Sequence, residues 1–197
     1  MIQLYIVRHT PVLISKNKCY GQTDVPLADS FLHDAQQLKQ QLPDDFDIVF
    51  CSPLHRCTLL SEALGINKKN VIIDNALMEL NFGDWENKEW NSLDPTVLNE
   101  WMSDFVYIRP NNGENLADLF KRTSSFFESL RDNLNPNSST KYKKILIITH
   151  AGVIRCLWSY FLAIPLNNLF KLSVGYGEVL IAQLGKTAEY DTIQRKQ

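Results

Sequence analysis

Cysteine is scarce in this sequence, and its four copies are scattered. Cys19, Cys51, Cys57 and Cys156 show neither a Cys-X-X-Cys pair nor the spacing of zinc ligands. Scattered cysteines are typical of reduced thiols, because disulfide frameworks belong to secreted chains with regularly spaced cysteines. We therefore predict no disulfide, no metal ligation by cysteine, and a location in a reducing compartment, the cytoplasm.

An excess of charge of one sign is also absent. The chain has 20 Lys and Arg against 22 Asp and Glu, a net charge of −2. This balance gives no global electrostatic attraction to nucleic acid or to an anionic membrane surface. Any site for an anion must therefore be built locally, by a few cations at one point of the fold.

Long hydrophobic runs are missing as well. The longest apolar stretch, 145–166, contains His150 and Arg155, and polar groups at that depth oppose insertion into a bilayer. The opening run 2–7 has no basic leader and is too short for the apolar core of a signal peptide. We expect a soluble protein that has no membrane partner.

Short apolar runs alternate with segments of helical periodicity along the chain. The runs cover 4–7, 48–50, 71–73 and 145–148, and the helical segments cover 31–42, 54–64, 113–130 and 152–161. Such alternation is typical of a mostly parallel sheet with helices on both faces. The length suits one domain. We predict a single α/β domain over 1–197, a three-layer sandwich.

Local signals predict where some of these elements begin and end. Ser52 followed by Pro53 predicts a helix N-cap and first helical position, and Gly65 predicts the end of that helix. Segments 169–174 and 179–184 predict a hairpin that completes the sheet. Residues 133–140 have the composition of a surface loop.

Chemically active side chains follow the predicted strands. In open parallel sheets, ligands bind beyond the carboxyl ends of the strands, where the following helices present their N-terminal amides. We expect two arginines, two histidines and one carboxylate to converge there: Arg8, His9, Arg56, His150 and Glu79.

This residue set suits phosphoryl transfer. Guanidinium groups and helix amides match phosphate oxygens, so the expected partner is a small phosphorylated molecule. Neighbouring cations keep an imidazole neutral and nucleophilic, which assigns the attack to His9 and the stabilisation of the phosphoryl group to His150 and the arginines. Glu79 supplies the proton for the leaving oxygen. This chemistry needs neither a metal nor a cofactor.

Two other uses of the same residues remain open. His9, Glu79, Asp84 and His150 could act as metal ligands in a hydrolase. A phosphate-binding module without enzymatic activity would use the arginines but would leave the nucleophile and acid pair unexplained.

Aromatic residues are concentrated in 82–107, with six in 26 positions against a chain average of 11%. The segment fits a small helical insertion over the active site, and it equally fits a helix pair packed on the sheet. Its aromatic side chains are Phe82, Trp85, Trp90, Trp101, Phe105 and Tyr107.

Five stretches resemble, in order, the signatures of the histidine phosphatase (phosphoglycerate mutase-like) superfamily. They are RH at 8–9, YGQTDVPL at 20–27, SPLHRC at 52–57, ELNFGDWE at 79–86 and THAGVIR at 149–155. The resemblance extends from about residue 4 to about residue 185, and the combination is highly specific. GQTDVPL and FGDWE are most similar to the α-ribazole phosphatase branch, which removes the 5′-phosphate of α-ribazole 5′-phosphate during cobalamin nucleotide-loop assembly.

The resemblance implies a role for each candidate residue. His9 would carry the phosphohistidine, Glu79 would donate the proton, and Arg8, Arg56 and His150 would bind phosphate. Substrate contacts are expected at Thr10, Ser15, Gly21, Gln22, Trp85 and Ala151.

Two positions depart from the family pattern. Thr10 follows the nucleophile where the family usually has Gly, and its hydroxyl either touches phosphate or lines the turn. Ser15 stands where the family often supplies a phosphate-binding Asn, and Asn17 lies two residues further on.

Other substrates would use the same chemistry, so a broad sugar-phosphate phosphatase and a phosphoglycerate mutase-like enzyme are the alternatives. Mutases of the family carry additional basic residues for the substrate carboxylate, whereas 82–107 contains one cation, Lys88. A benzimidazole base would gain from stacking on an aromatic side chain of this segment. We expect Trp85 to provide that contact, ahead of Trp90 and Trp101.

Overall fold

The computed structural model describes residues 1–132 and 142–196, so the predicted loop at 133–140 lies outside the described residues. The strands are β1 (Ile2–Arg8), β2 (Ile48–Cys51), β3 (Val71–Ile73), β4 (Lys144–Thr149), β5 (Val179–Leu184) and β6 (Thr192–Arg195). The α-helices are α1 (Phe31–Gln40), α2 (His55–Ala63), α3 (Pro95–Ser103), α4 (Leu116–Asp132) and α5 (Ala151–Leu162). No helix in the described ranges is long and apolar enough to cross a bilayer.

The strands form one sheet in the order β3-β2-β4-β1-β5-β6. The β3-β2, β2-β4 and β4-β1 pairs are parallel, and β5 and β6 add antiparallel pairs at the other edge. The register pairs Arg8 with Thr149 and Cys51 with Ile148. The ends of β1, β2 and β4 therefore lie side by side, and the residues that follow them share one edge.

Helices cover both faces of the sheet, which confirms the predicted α/β sandwich. On one face, Leu4, Ile6 and Ile147 are fully buried in a cluster that includes residues of α4 and α5. On the other face, Val7, Leu146 and their neighbours pack with residues of α1 and α2. Strands buried on both sides consist of continuous apolar residues, so these strands could be predicted from the sequence.

The predicted start of α2 is wrong. The helix begins at His55, and the extended residue Leu54 occupies the N-cap position. The amide of Ser52 continues the sheet by donating to the carbonyl of Ile148 at 3.0 Å. The carbonyl of Leu54 accepts the first helical hydrogen bond, from the amide of Thr58 at 3.2 Å, so the helix starts later than predicted. The predicted end is confirmed, because Gly65 adopts φ +77° directly after the last turn.

The predicted C-terminal hairpin is also wrong in its first arm. Residues Leu166–Lys171 form a 3₁₀ helix instead of a strand. Leu169 is fully buried in the core beside α5, so the apolar residues of this segment contact a helix and do not pair with β5. The antiparallel partners of β5 are β1 and β6.

The aromatic segment 82–107 forms 3₁₀ turns at Gly83–Trp85 and Trp90–Ser92, followed by α3. Its rings contact each other, with centroids 5.5 Å apart for Phe82 and Trp90. Phe82 and Trp90 also line a cavity next to Glu79. The structure therefore favours the pocket-covering insertion over the helix pair packed on the sheet.

All four cysteines are buried and free, as their spacing predicts. The cytoplasmic location stays a prediction.

Candidate active site

The structure brings the five predicted residues together at the carboxyl ends of β1, β2 and β4. The ring centroids of His9 and His150 are 5.1 Å apart, and Arg56 Nε lies 3.2 Å from His150 Nδ1. Arg8 and Glu79 line a cavity of about 260 Å³ beside them. One edge of the sheet thus combines two imidazoles, two guanidinium groups and a carboxyl group.

His9 is prepared to act as a neutral nucleophile. Its Nδ1 lies 2.8 Å from the carbonyl oxygen of Thr10, so Nδ1 carries the proton and Nε2 keeps a free lone pair. The ring is only 2% exposed. Burial, and then the charges of Arg56 and Arg8, hold the pKa of His9 well below its usual range.

Arg8 and Thr10 contain buried polar atoms that lack a protein partner. Arg8 Nη1 donates to the carbonyl of Val174 at 2.6 Å, and the guanidinium lies 3.7 Å from the ring centroid of Tyr176. In the described part of the chain, Arg8 Nε and Thr10 Oγ1 have no hydrogen-bond partner. Buried polar groups rarely remain unpaired. A phosphate beside His9 would supply acceptors, which supports the predicted contact with Thr10.

Arg56 is held in place by acceptors on three of its nitrogens. Nη1 donates to the carbonyl of Thr23 at 2.9 Å, Nη2 to the carbonyl of Gly21 at 2.5 Å, and Nε to His150. The residue is 1% exposed. Each terminal nitrogen carries a second N–H, and these two donors suit two phosphate oxygens.

His150 contacts two protein side chains of the site through its ring nitrogens. Its Nε2 lies 2.7 Å from Ser52 Oγ, and its Nδ1 accepts from Arg56. Both ring nitrogens thus contact protein groups. Burial, followed by the charge of Arg56, lowers the pKa of His150 well below its usual range, so the ring is neutral. In this arrangement His150 orients Arg56, and its predicted contact with phosphate stays a prediction.

The side chain of Glu79 lies against the N-terminus of α5, and backbone amides hold its carboxyl group. Oε1 accepts from the amide of Leu80 at 2.9 Å and from that of Gly152 at 3.0 Å. A Cβ at position 152 would lie 2.2 Å from Oε1, so only glycine permits this approach. The carboxyl group is therefore aimed into the cavity that also contains Arg8.

Sequence reasoning missed Glu86, which joins the two loops of the site. Its carboxylate accepts from the amides of Gly21, Gln22, Thr23 and Phe82 and from the Thr23 hydroxyl. Burial raises its pKa, but the hydrogen bond from the Thr23 hydroxyl and those from the amides outweigh burial and leave the pKa below its usual range. The FGDWE motif contained this residue but gave no indication of its partners.

Arg122 of α4 was missed for a different reason. It donates to the carbonyls of Ala76 and Glu79 and forms an ion pair with Glu114 at 2.9 Å. These bonds fix the backbone that carries Glu79. A single arginine on an amphipathic helix has no local signal that separates it from a solvent-exposed charge.

Gly21 and Gln22, two predicted substrate-binding residues, form hydrogen bonds to the catalytic candidates. The carbonyl of Gly21 accepts from Arg56, and Gln22 Nε2 donates to the carbonyl of Glu79 at 2.9 Å. A Cβ on residue 21 would lie 1.9 Å from the carbonyl oxygen of Leu80, so the glycine allows the two loops to meet. Ala151, in contrast, lines the cavity, and its contact with substrate stays a prediction.

The structure does not bring Ser15 to the cavity. Ser15 and Asn17 are exposed, and Ser15 Oγ accepts from the amide of Asn17 at 3.3 Å. Lys16 and Lys18 of the same segment line the cavity instead. The position of the family's phosphate-binding Asn is thus left without a substitute at Ser15, and the segment contributes cations.

Trp85 lies beneath the cavity and not in its wall. It is 6% exposed and packs with Cys19 and Leu93. Trp90 lines the cavity together with Phe82. Of the three tryptophans that sequence reasoning considered, Trp90 is therefore the one that lines the cavity.

Asp84, the fourth ligand in the metal-site alternative, is engaged elsewhere. Its Oδ1 accepts from Asn112 Nδ2 at 3.0 Å. Within residues 1–132 and 142–196, no three His, Cys, Asp or Glu side chains gather in an arrangement that could hold a metal ion.

The lowered pKa values of His9 and His150 predict that acid destabilises the fold. An unfolded histidine has a pKa near 6.5, so below that pH the unfolded chain binds protons that the folded chain excludes. These two histidines should contribute no slope to the free energy of unfolding above about pH 7, and below about pH 6.5 that free energy should fall by up to about 1.4 kcal/mol per pH unit for each histidine. Urea unfolding at several pH values measures this slope.

A matched variant assigns the slope to the site. His33 is exposed on α1, so His33→Asn should keep the full dependence on pH, whereas His150→Asn should reduce it. Equal slopes in the two variants would contradict the assignment.

Comparison with known proteins agrees with this geometry. The family model of the histidine phosphatase superfamily (branch 1) matches residues 4–190. The chain is 27% identical over 182 residues to the adenosylcobalamin/alpha-ribazole phosphatase of Escherichia coli, covering 89% of this chain and 87% of that protein. It is also 27% identical over 175 residues to a "probable phosphoglycerate mutase" of Yersinia pestis, covering 84% and 77%.

A solved structure of a similar protein shares the fold of this chain. The alpha-ribazole phosphatase of Shigella flexneri superposes with a TM-score of 0.86 at 25% identity, covering 98% of this chain and 95% of that one. The chain belongs to the histidine phosphatase superfamily, branch 1.

Proposed function

We propose that this protein is a phosphomonoesterase that works through a phosphohistidine on His9. The observation that carries the proposal is the state of His9, a buried neutral imidazole whose Nδ1 is held by the Thr10 carbonyl at 2.8 Å. Such a ring has its nucleophilic nitrogen free, and two arginines lie next to it. Family membership supports the same chemistry.

The first step transfers the phosphoryl group to the protein. His9 Nε2 attacks phosphorus while Arg8, Arg56 and the Thr10 hydroxyl bind the phosphate oxygens and stabilise their charge. The bond between phosphorus and the ester oxygen breaks, and Glu79 gives its proton to that oxygen. The products are the free alcohol and a phosphoramidate on His9.

The second step regenerates the imidazole. Glu79, now a carboxylate, takes a proton from a water molecule that attacks phosphorus. The bond between phosphorus and nitrogen breaks, inorganic phosphate leaves, and His9 returns to its neutral form. Glu79 thus serves as the acid in one step and the base in the next.

For the substrate, we propose α-ribazole 5′-phosphate. The cavity beyond Glu79 has apolar and aromatic walls that suit a flat base, formed by Leu80, Phe82, Trp90, Leu116, Leu119 and Phe170. An alcohol protonated by Glu79 would extend into this cavity. The names of the Escherichia coli and Shigella flexneri relatives support this choice.

A second candidate substrate is a phosphomonoester whose alcohol part carries a carboxylate or another phosphate. Besides Arg8, three cations line the same cavity: Lys16, Lys18 and Arg155. None of them forms an ion pair with an acidic side chain in the described part of the chain. The single cation of segment 82–107, Lys88, therefore does not argue against a substrate with a carboxylate, because other segments bring cations to the cavity.

A comparison of substrates tests the choice. Stacking of a base is worth roughly 1 to 3 kcal/mol, so kcat/KM for α-ribazole 5′-phosphate should exceed that for ribose 5-phosphate by about 10-fold or more. Trp90→Ala should reduce this ratio and leave ribose 5-phosphate nearly unaffected. Tyr107→Ala is the control, since Tyr107 is an exposed aromatic residue of the same segment.

The opposite outcome would select the second candidate. If 3-phosphoglycerate is the better substrate, and Lys16→Gln and Lys18→Gln raise its KM, the proposed base-binding role fails while the roles of His9 and Glu79 stand.

A further inference from the structure

Ser52 stands between β2 and α2 but does not cap the helix. Its side chain is fully buried, and Ser52 Oγ lies 2.7 Å from His150 Nε2. The parallel register of β2 and β4 pairs Cys51 with Ile148, so Ser52 lies beside Thr149 and close to His150, the next residue of the chain. The end of the sheet thus brings the Ser52 hydroxyl within hydrogen-bond distance of a ring of the site.

The three side chains form a buried series of hydrogen bonds. Arg56 Nε–H can only donate, so His150 Nδ1 must accept at 3.2 Å and carries no proton. In a neutral ring the proton then sits on Nε2, which donates to Ser52 Oγ. Burial and the adjacent Arg56 keep His150 neutral, in agreement with a single ring proton.

Few other groups could accept this proton. Cys57 Sγ lies 3.5 Å from Nε2, but sulfur is a weak acceptor. Without the Ser52 hydroxyl, the Nε2 proton would be left with this poor partner in a buried space, and the tautomer with the proton on Nδ1 would compete. That tautomer would set two donors, Nδ1–H and Arg56 Nε–H, against each other.

We propose that Ser52 is a positioning residue that selects the Nε2–H tautomer of His150 and thereby holds the Arg56 guanidinium in the orientation that binds the phosphoryl group. The inference rests on the proposed function for the role of Arg56 toward phosphate. The selection of the tautomer is a property of the folded protein alone.

The test combines NMR with inhibitor binding. The tautomer of His150 is read from the ¹⁵N shifts of its ring nitrogens in labelled full-length protein, and the affinity of Arg56 for phosphate from competitive inhibition by inorganic phosphate. Ser52→Ala should lose the uniform Nε2–H tautomer and raise the inhibition constant of phosphate roughly 10-fold, as expected for a buried hydrogen bond to a site group. Ser52→Thr, which restores a hydroxyl, should recover most of the wild-type values.

Ser159→Ala is the matched control. Ser159 is a buried serine of α5 whose Oγ donates to the carbonyl of Ile164 at 2.6 Å, so the variant also loses a buried hydrogen bond. It should change neither the His150 shifts nor the inhibition constant. If Ser52→Thr does not fold, the His150 shifts in folded Ser52→Ala still show whether the Ser52 hydroxyl selects the tautomer.

Three results would overturn the proposal: an Nδ1–H tautomer in the wild type, unchanged shifts and inhibition in Ser52→Ala, or the same losses in Ser159→Ala. A wild-type protein that hydrolyses no phosphomonoester would overturn the proposed function, and the NMR result would remain valid.

Discussion

His9→Ala is expected to lose at least about 10³-fold in kcat/KM for every phosphomonoester, because the variant has no group to attack phosphorus. The loss should not depend on the leaving group. Steady-state assays with an alkyl phosphate and with p-nitrophenyl phosphate measure it. His9 is buried, so circular dichroism and thermal unfolding must show that the variant folds.

His33→Ala is the control for this experiment. His33 is an exposed histidine of α1, and its replacement should leave both activities intact. Near-normal turnover by folded His9→Ala would remove His9 from the mechanism.

Glu79→Gln should lose activity in a way that depends on the substrate. An alkoxide is a poor leaving group and needs the proton, so kcat for an alkyl phosphate should fall by roughly 10²- to 10⁴-fold. The p-nitrophenolate ion leaves without a proton, and its formation should slow by less than about 10-fold. Parallel assays of the two substrates give the ratio that separates proton donation from binding.

Glu62→Gln, which changes a half-exposed glutamate of α2 paired with Lys68, should leave both rates unchanged. Equal losses on both substrates in Glu79→Gln would mean that the carboxyl group positions phosphate and donates no proton.

The sequence predicts both the architecture and the place of the site, because both follow from the positions of the buried strands. Strands buried on both faces appear as short apolar runs, and their carboxyl ends point to a single edge of the sheet. The sequence alone therefore predicts that Arg8, His9, Arg56, Glu79 and His150 lie together. The outer antiparallel partner of β5 could not be predicted, because β6 is short and mostly exposed and lacks an apolar pattern.

The contacts that hold the site in place depend on the meeting of distant segments. Glu86 accepts from the amide of Gly21, 65 positions away in sequence, and Arg122 donates to the carbonyl of Glu79. Neither side chain has a local pattern that indicates its partner. Residues of this kind become visible only when loops from different strands are placed side by side.

Ser52 and Trp85 show how a correct motif can suggest the wrong contact. Ser-Pro is a common helix start, but the Ser52 hydroxyl contacts His150 and does not cap the helix. Trp85 is nearer to Glu79 in sequence than Trp90, yet the 3₁₀ turn at Gly83–Trp85 buries it. Local spacing does not specify which of two neighbouring side chains faces a cavity.

The most direct test of the central claim is to trap the phosphorylated protein. Rapid quenching of the wild type during turnover of a ³²P-labelled substrate should yield a covalent phosphoryl group that is labile in acid and stable in base, as a phosphoramidate is, and peptide mapping should place it on His9. A phosphoryl group on serine, or no covalent species during rapid turnover, would contradict the account.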